Sequence, residues 1–192
     1  MNVRVRLLVG SLAVAAVASV AAGWVIARSN DPSSSDTASL DNNVLPEPPS
    51  IGTNAAVKGD PLPDVTVQLL DGTDVPISSL KGQPLVINVW YSSCVPCKKE
   101  LPDFAAAHLV YGDRVRFVGI NSLPPSDREE SFARDKGVQY ELLYDANGEF
   151  ITSVGIAAFP VTLFVNAEGI IVRQSGQLDQ ASLSELIESK LL

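Results

Sequence analysis

Residues 85–97 read LVINVWYSSCVPC, and this stretch decides the fold. Its first six residues form a nearly continuous apolar run, which is typical of a central strand covered on both faces. The only two cysteines of the chain follow as Cys94 and Cys97, and an amphipathic segment continues to about Tyr111. The pattern predicts a buried strand that leads into a helix, with Cys94 at the helix N-terminus and Cys97 one turn inside it.

The spacing of the two cysteines indicates redox chemistry. The free N–H groups and the positive dipole end of a helix favour the thiolate form of Cys94, which is the nucleophile. Lys98 and Lys99 add positive charge close by. Pro96 stiffens the first turn, where its missing N–H costs nothing. Cys97 is expected to be less exposed and close enough to attack a mixed disulfide formed at Cys94.

Three other interpretations of the cysteine pair compete. A static disulfide would gain little stability by closing so short a loop. A zinc site needs four ligands, whereas the chain offers two Cys and one imidazole, His108, whose spacing on the helix points elsewhere. The pair could also be incidental. We predict no metal and no cofactor, and we read His108 as a surface or helix-packing residue without a catalytic role.

The remainder of the globular part alternates strands with helices. A capping box at Ser126 and Glu129 predicts a helix that reaches Lys136. The fold class predicted is therefore α/β, a three-layer sandwich without internal repeats. The other predicted elements are a leading hairpin around Asp71-Gly72, strands at residues 114–121, 140–143, 161–166 and 170–174, a brief helix ending at Gly155, and a final helix at residues 179–192.

The N-terminal segment is apolar over residues 7–27, which hold no charge. As a helix this run would be about 31 Å long, close to the hydrocarbon thickness of a bilayer. Arg4 and Arg6 precede it, so the positive-inside rule places the N-terminus in the cytoplasm and the rest outside. We predict a signal anchor over residues 1–28. The alternative is a signal peptide cleaved near residues 20–22, which would give a secreted protein.

Residues 29–56 are rich in Pro, Ser, Asn and acids and contain no Lys, Arg or aromatic residue, so we predict a flexible linker. A globular domain is predicted over residues 57–192. The whole chain has a net charge of −8. Without Arg4, Arg6 and Arg28, 11 basic and 22 acidic side chains remain, a net charge of −11. Such an acidic balance argues against a nucleic-acid partner.

Residues 87–102, INVWYSSCVPCKKELP, resemble the active-site segment of the thioredoxin superfamily. More narrowly, residues 60–192 are similar to membrane-anchored TlpA/ResA-like thiol-disulfide oxidoreductases, including the leading hairpin and an extra helix and strand over residues 126–143. The resemblance implies a thioredoxin-like fold with an N-terminal hairpin and an inserted helix–strand unit, preceded by a single transmembrane helix.

The resemblance also assigns residues to a site. Cys94 would be the nucleophile and Cys97 the resolving cysteine. Trp90, Phe159 and Pro160 would bind the substrate, with Trp90 packed beside the site. The Phe159-Pro160 peptide bond would be cis, and its backbone would pair with an incoming polypeptide. Glu100 matches an acidic residue that this branch places just after its CxxC, which implies a possible proton relay. By composition alone, Glu100 is more often a solvated acid of the first helical turn, and only the match to the family motif favours a role in the site.

Two positions depart from the common thioredoxin pattern. Ser93 stands where most thioredoxins have a second Trp, so the docking surface is smaller and more polar there. Asn88 occupies the place of a buried Asp, which leaves Glu100 as the candidate proton acceptor for Cys97. The Pro-x-x-x-Thr-x-x-Cys pattern of thiol peroxidases is absent, because Ile87 and Tyr91 occupy those places.

The resemblance implies an enzyme, a protein-disulfide reductase. Its substrates would be exported protein disulfides or an apocytochrome in cytochrome c maturation. A membrane protein would return electrons to the Cys94–Cys97 pair. The alternative is a copper metallochaperone on the same fold, since thiolates suit Cu(I). Copper-carrying relatives use a wider cysteine spacing and a later His, and no His follows His108.

Overall fold

The structure, a computed structural model, describes residues 54–192. This part of the chain contains seven strands and four α-helices, which confirms the predicted mixed α/β class. The elements are β1 (Thr66–Gln68), β2 (Asp74–Pro76), a 3-10 helix (Ile77–Leu80), β3 (Leu85–Trp90), α1 (Val95–Tyr111), β4 (Arg116–Asn121), α2 (Asp127–Asp135), β5 (Glu141–Tyr144), α3 (Glu149–Val154), β6 (Val161–Val165), β7 (Ile171–Ser175) and α4 (Gln180–Lys190).

The strands form one sheet in the order β2-β1-β5-β4-β3-β6-β7. Strands β3, β4 and β5 are parallel neighbours, and the remaining pairs are antiparallel. Each parallel connection runs through a helix, α1 and then α2, as parallel crossovers require. All six residues of β3 are buried, because this strand lies inside the sheet and is covered on both faces.

Alternate residues of β3 enter two separate apolar clusters, one on each face of the sheet. Leu85, Ile87 and Val89 pack with residues of the 3-10 helix and α3, among them Ile77, Leu80, Phe150 and Val154. Val86 and Trp90 pack with residues of α1 and α4, among them Leu101, Phe104, Leu183 and Ile187. Helices thus cover both faces, and α1 emerges from the carboxyl end of β3 with the cysteine pair at its start.

Some element boundaries differ from the sequence prediction for identifiable reasons. Residues 114–115 do not extend β4, because the backbone N–H groups of Arg114 and Val115 both donate to Tyr111 O at 2.9 Å in a turn that ends α1. The second strand of the leading hairpin, predicted over residues 75–77, ends at Pro76, and Ile77 instead opens the 3-10 helix. The predicted strand at residues 140–143 lies one position later, at Glu141–Tyr144.

The predicted signal anchor over residues 1–28 lies outside the described residues, as does most of the predicted linker. Between residues 54 and 192, no helix is both long and apolar enough to cross a bilayer.

Asn54 makes three hydrogen bonds to the loop before Phe159. Its Oδ1 accepts from Ala157 N at 2.7 Å and Ala158 N at 2.8 Å, and its Nδ2 donates to Ala158 O at 3.1 Å.

Candidate active site

Cys94 and Cys97 form a disulfide at the start of α1, with an S–S distance of 2.01 Å and a Cα–Cα distance of 5.3 Å. Cys94 is the N-cap residue of the helix, and Pro96 lies in its first turn. The backbone N–H of Cys97 donates to Cys94 Sγ at 3.2 Å. Cys94 keeps 5% of its surface exposed and Cys97 none. An incoming nucleophile or disulfide therefore reaches Cys94 first, as the sequence predicts.

Glu100 lies one helical turn beyond Cys97 and has no exposed surface. Asn88 Nδ2 donates to its Oε1 at 2.7 Å, and the backbone N–H of Leu178 donates to its Oε2 at 3.1 Å. Burial raises the pKa of Glu100 from 4.5 to about 8, although both hydrogen bonds act in the opposite direction. The interpretation of Glu100 as a solvated acid is therefore wrong. A carboxyl group that exchanges its proton near neutral pH lies on the same helix face as Cys97.

Trp90 and Phe159 flank the cysteine pair in different ways. Trp90 is fully buried and stacks on Phe132 with ring centroids 6.1 Å apart. Phe159 is half-buried and meets the ring of Tyr91 edge-to-face at 5.1 Å. The Phe159–Pro160 peptide bond is cis. Phe159 thus lies beside the loop that precedes Cys94, whereas Trp90 supports that loop from within the core.

A disulfide at a helix N-terminus, a buried acid one turn later and a cis-proline loop beside them characterise this site. The AhpC/TSA family model matches residues 58–174. The chain belongs to the AhpC/TSA family. The matched span includes the whole cysteine segment and the Phe159–Pro160 loop.

Relatives of this AhpC/TSA protein include thiol-disulfide oxidoreductases. ResA of Bacillus subtilis (strain 168) is 25% identical over 123 residues, which cover 64% of this chain and 69% of ResA. Sporulation thiol-disulfide oxidoreductase A of the same organism is 28% identical over 127 residues, covering 64% and 76%. The structure of MTB DsbF, in mixed oxidized and reduced forms, has a TM-score of 0.59 and 25% identity, covering 66% and 94%.

These likenesses confirm the predicted resemblance to TlpA/ResA-like proteins and the enzyme class. With its thioredoxin-like fold and CxxC pair, this AhpC/TSA protein is a thiol-disulfide oxidoreductase of the ResA type. The chain also has the leading hairpin β1–β2 and the inserted α2–β5 unit that the sequence resemblance implies.

Sequence reasoning missed one group of polar residues beside the site. Glu129 on α2 is 3% exposed and accepts hydrogen bonds from Ser92 and from Asn121 Nδ2. The sequence showed Glu129 only as the last residue of a capping box. Ser92 gave no signal of its own, although its position two residues before Cys94 placed it in the active-site loop.

The single imidazole of this AhpC/TSA protein packs away from the cysteines. His108 contacts the rings of Phe117 and Tyr140 edge-to-face, with centroids 5.4 and 5.5 Å away, and burial lowers the pKa of His108. It is a helix-packing residue. Over residues 54–192, no three His, Cys, Asp or Glu side chains are grouped so as to hold a metal ion.

Proposed function

We propose that this chain is an extracytoplasmic protein-disulfide reductase that acts on exported proteins through the Cys94–Cys97 dithiol. The observation that carries the proposal is the pairing of a reactive N-cap cysteine with a buried carboxyl, Glu100, one turn beyond the resolving cysteine. Such a carboxyl can take up and release the resolving thiol's proton within a site closed to water.

The first step is attack by the Cys94 thiolate on one sulfur of a substrate disulfide. A bond forms between Cys94 Sγ and that sulfur, and the other substrate sulfur leaves as a thiolate. The helix N-terminus supports the thiolate, since the N–H of Cys97 already lies 3.2 Å from Cys94 Sγ. Val95, the residue after Cys94, is 61% exposed, so Cys94 lies at the protein surface.

The second step is resolution by Cys97. In the fraction of molecules whose Glu100 is ionised, the Cys97 thiol gives its proton to the Glu100 carboxylate, and the resulting thiolate attacks Cys94 Sγ. The Cys94–Cys97 disulfide forms, the substrate's second thiolate leaves, and two electrons have passed from the enzyme to the substrate. A proton acceptor works best when its pKa is close to that of the donor and to the working pH. The pKa of Glu100, about 8, is close to the ordinary thiol value of about 8.5.

The loop at Phe159–Pro160 is the proposed docking element for the substrate polypeptide. Pro160 offers no N–H, and the half-buried Phe159 lies against Tyr91 beside the cysteine loop. The backbone of Phe159 would pair with an extended substrate segment, as in strand addition. Trp90, which is fully buried, would contribute by holding Phe132 and the loop in place rather than by direct contact.

The proposed location rests on the amino-acid sequence. An anchor over residues 1–28, a linker over residues 29–56 and a catalytic domain over residues 57–192 would hold the enzyme on the outer face of the cell membrane. A membrane protein would then re-reduce Cys94–Cys97, and an apocytochrome is one candidate substrate. Labelling of the two thiols in intact, reductant-treated cells by a membrane-impermeant maleimide would support this location. Labelling only after lysis would overturn it.

Trapping tests the proposed chemistry. In a Cys97→Ser variant the mixed disulfide at Cys94 cannot be resolved, so we expect reductant-sensitive adducts with exported proteins on non-reducing gels. The matched control is the double variant Cys94→Ser/Cys97→Ser, which should give none. Adducts absent from Cys97→Ser would refute the proposal.

The reduction potential tests the direction. A value at or below about −270 mV, the potential of thioredoxin, supports a reductase, and a value well above it indicates an oxidant or isomerase. Stoichiometric Cu(I) binding by the reduced protein, together with no reduction of insulin disulfides, would favour the copper metallochaperone instead.

A further inference from the structure

One buried carboxylate connects three separate parts of the active-site end of the fold. Glu129 on α2 accepts hydrogen bonds from Ser92 N at 2.9 Å, from Ser92 Oγ and from Asn121 Nδ2 at 2.8 Å. Ser92 belongs to the loop between β3 and α1, and Asn121 is the last residue of β4. All three residues are buried, with exposures between 0% and 8%.

This arrangement differs from the capping box that the sequence predicts. Ser126 Oγ does accept from Glu129 N, at 3.4 Å, so half of the box is present. The Glu129 carboxylate, however, turns away from the helix start and toward Ser92. A buried carboxylate is costly unless donors compensate it. Burial raises the pKa of Glu129, but the hydrogen bonds from Ser92 and Asn121 and the charge of Arg128 outweigh it, so the pKa lies below its ordinary value.

The loop that Glu129 holds is the loop that carries the nucleophile. Ser92 lies two residues before Cys94, inside a turn closed by a hydrogen bond from Cys94 N to Tyr91 O at 3.2 Å. The start of this turn is also held by the residue that follows β4, because Ser122 N donates to Trp90 O at 3.0 Å. A shift of Ser92 would therefore move Cys94 relative to the first N–H groups of α1. One of these groups, Cys97 N, donates to Cys94 Sγ at 3.2 Å.

We propose that Glu129 is a positioning residue of the redox site, which fixes Ser92 and thereby sets the alignment of Cys94 Sγ with the N-terminus of α1. Because that alignment stabilises the thiolate, Glu129 tunes the nucleophile without touching substrate. The inference rests on the proposed function, in which Cys94 acts as a thiolate. Its test reads the ionisation of Cys94 directly and does not depend on any substrate.

Two substitutions of Glu129 separate geometry from charge. In Glu129→Gln, the amide oxygen can accept from Ser92 N and Asn121 Nδ2, and the amide N–H can donate to Ser92 Oγ, whose hydroxyl then reorients. The heavy-atom contacts persist while the charge is lost. In Glu129→Ala both are lost. Glu130→Ala is the matched control, since Glu130 is the next residue of α2 and its carboxylate instead contacts Arg134 and Tyr144.

The measurement is the rate of iodoacetamide alkylation of Cys94 in the reduced protein as a function of pH. Each variant also carries Cys97→Ser, so that a single thiol reacts. We expect Glu129→Ala to raise the pH midpoint by about one unit, which lowers the thiolate fraction at neutral pH up to about tenfold. Glu129→Gln should stay within about twofold of the parent, and Glu130→Ala should match it. Equal behaviour of Glu129→Ala and Glu130→Ala would overturn the proposal, and so would an equal shift in Glu129→Gln and Glu129→Ala.

A second variant keeps the test decisive if Glu129→Ala does not fold. Ser92→Ala removes one of the three contacts and leaves the backbone donor in place, so a shift in the same direction of at least twofold supports the proposal. Alkylation identical to the parent overturns it. Failure of the proposed function has a different signature: a wild-type protein that reduces no protein disulfide still gives an alkylation profile once Cys97→Ser is introduced.

Discussion

The buried carboxyl of Glu100 makes folding stability depend on pH, and Glu100→Gln should remove that dependence. The side chain has no exposed surface, and its two partners are the donors Asn88 Nδ2 and Leu178 N. A glutamine can accept from only one of them through its oxygen. The variant therefore leaves one donor unpaired at a cost of about 1–3 kcal/mol that is the same at every pH.

The sign follows from the raised pKa. Below pH 4.5 Glu100 is protonated in both the folded and the unfolded chain and adds no pH dependence. Between pH 4.5 and about 8 the unfolded chain releases the proton while the folded protein retains it, so the free energy of unfolding falls as pH rises. Above about pH 8, Glu100 is ionised in both the folded and the unfolded chain. The free energy of unfolding has then fallen by its full amount, on the order of 5 kcal/mol.

Urea unfolding of the oxidised protein at a series of pH values checks this expectation, because the disulfide removes thiol titration from the comparison. From pH 5 to pH 8.5 the wild-type protein should lose about 4 kcal/mol relative to Glu100→Gln. Asp135→Asn, which changes an exposed acid at the end of α2, is the control and should keep the wild-type slope. Parallel curves for wild type and Glu100→Gln would refute the assignment of Glu100 as a group that titrates near neutral pH.

Three further substitutions test the packing and the loops around the site. Gly119→Ala would place a Cβ 2.7 Å from Leu142 Cδ2 and 3.1 Å from Trp90 Nε1, so we expect a loss of about 1–3 kcal/mol in urea unfolding with altered Trp fluorescence. An unchanged urea midpoint would contradict the close packing of Leu142 and Trp90 against Gly119. Asn54→Ala removes three hydrogen bonds to the loop before Phe159 and should slow turnover of a protein disulfide more than that of a small disulfide. Equal slowing of both would argue against a docking role for that loop. Glu141→Gln breaks the half-exposed pair with Arg116, 2.6 Å apart, and should cost less than about 1 kcal/mol, with a smaller effect in high salt.

Much of the fold followed from local patterns in the sequence. The apolar run at β3 predicted a strand with the observed limits, Leu85–Trp90, because a strand covered on both faces is nearly continuously apolar, interrupted here by Asn88 alone. The helix after Cys94 and its end near Tyr111 also followed from periodicity. The predicted boundaries were wrong where contacts in the folded chain determine the end of an element. At Arg114, for example, the backbone N–H donates to Tyr111 O, so this residue does not extend β4.

The two acids that matter at the site show why the remainder could not be predicted. Glu129 lies in the first turn of its helix, where an acid normally faces solvent and is stabilised by the helix dipole, and Glu100 lies in the second turn of its helix. Both are buried, because their donors come from distant parts of the chain: Leu178 N is 78 positions from Glu100, and Ser92 N is 37 positions from Glu129. No local pattern encodes such a pairing. Only the resemblance to a known active-site segment singled out Glu100. Glu129 lies outside that segment, and its role could be seen only in the folded protein, where α2 packs against the loop that carries Cys94.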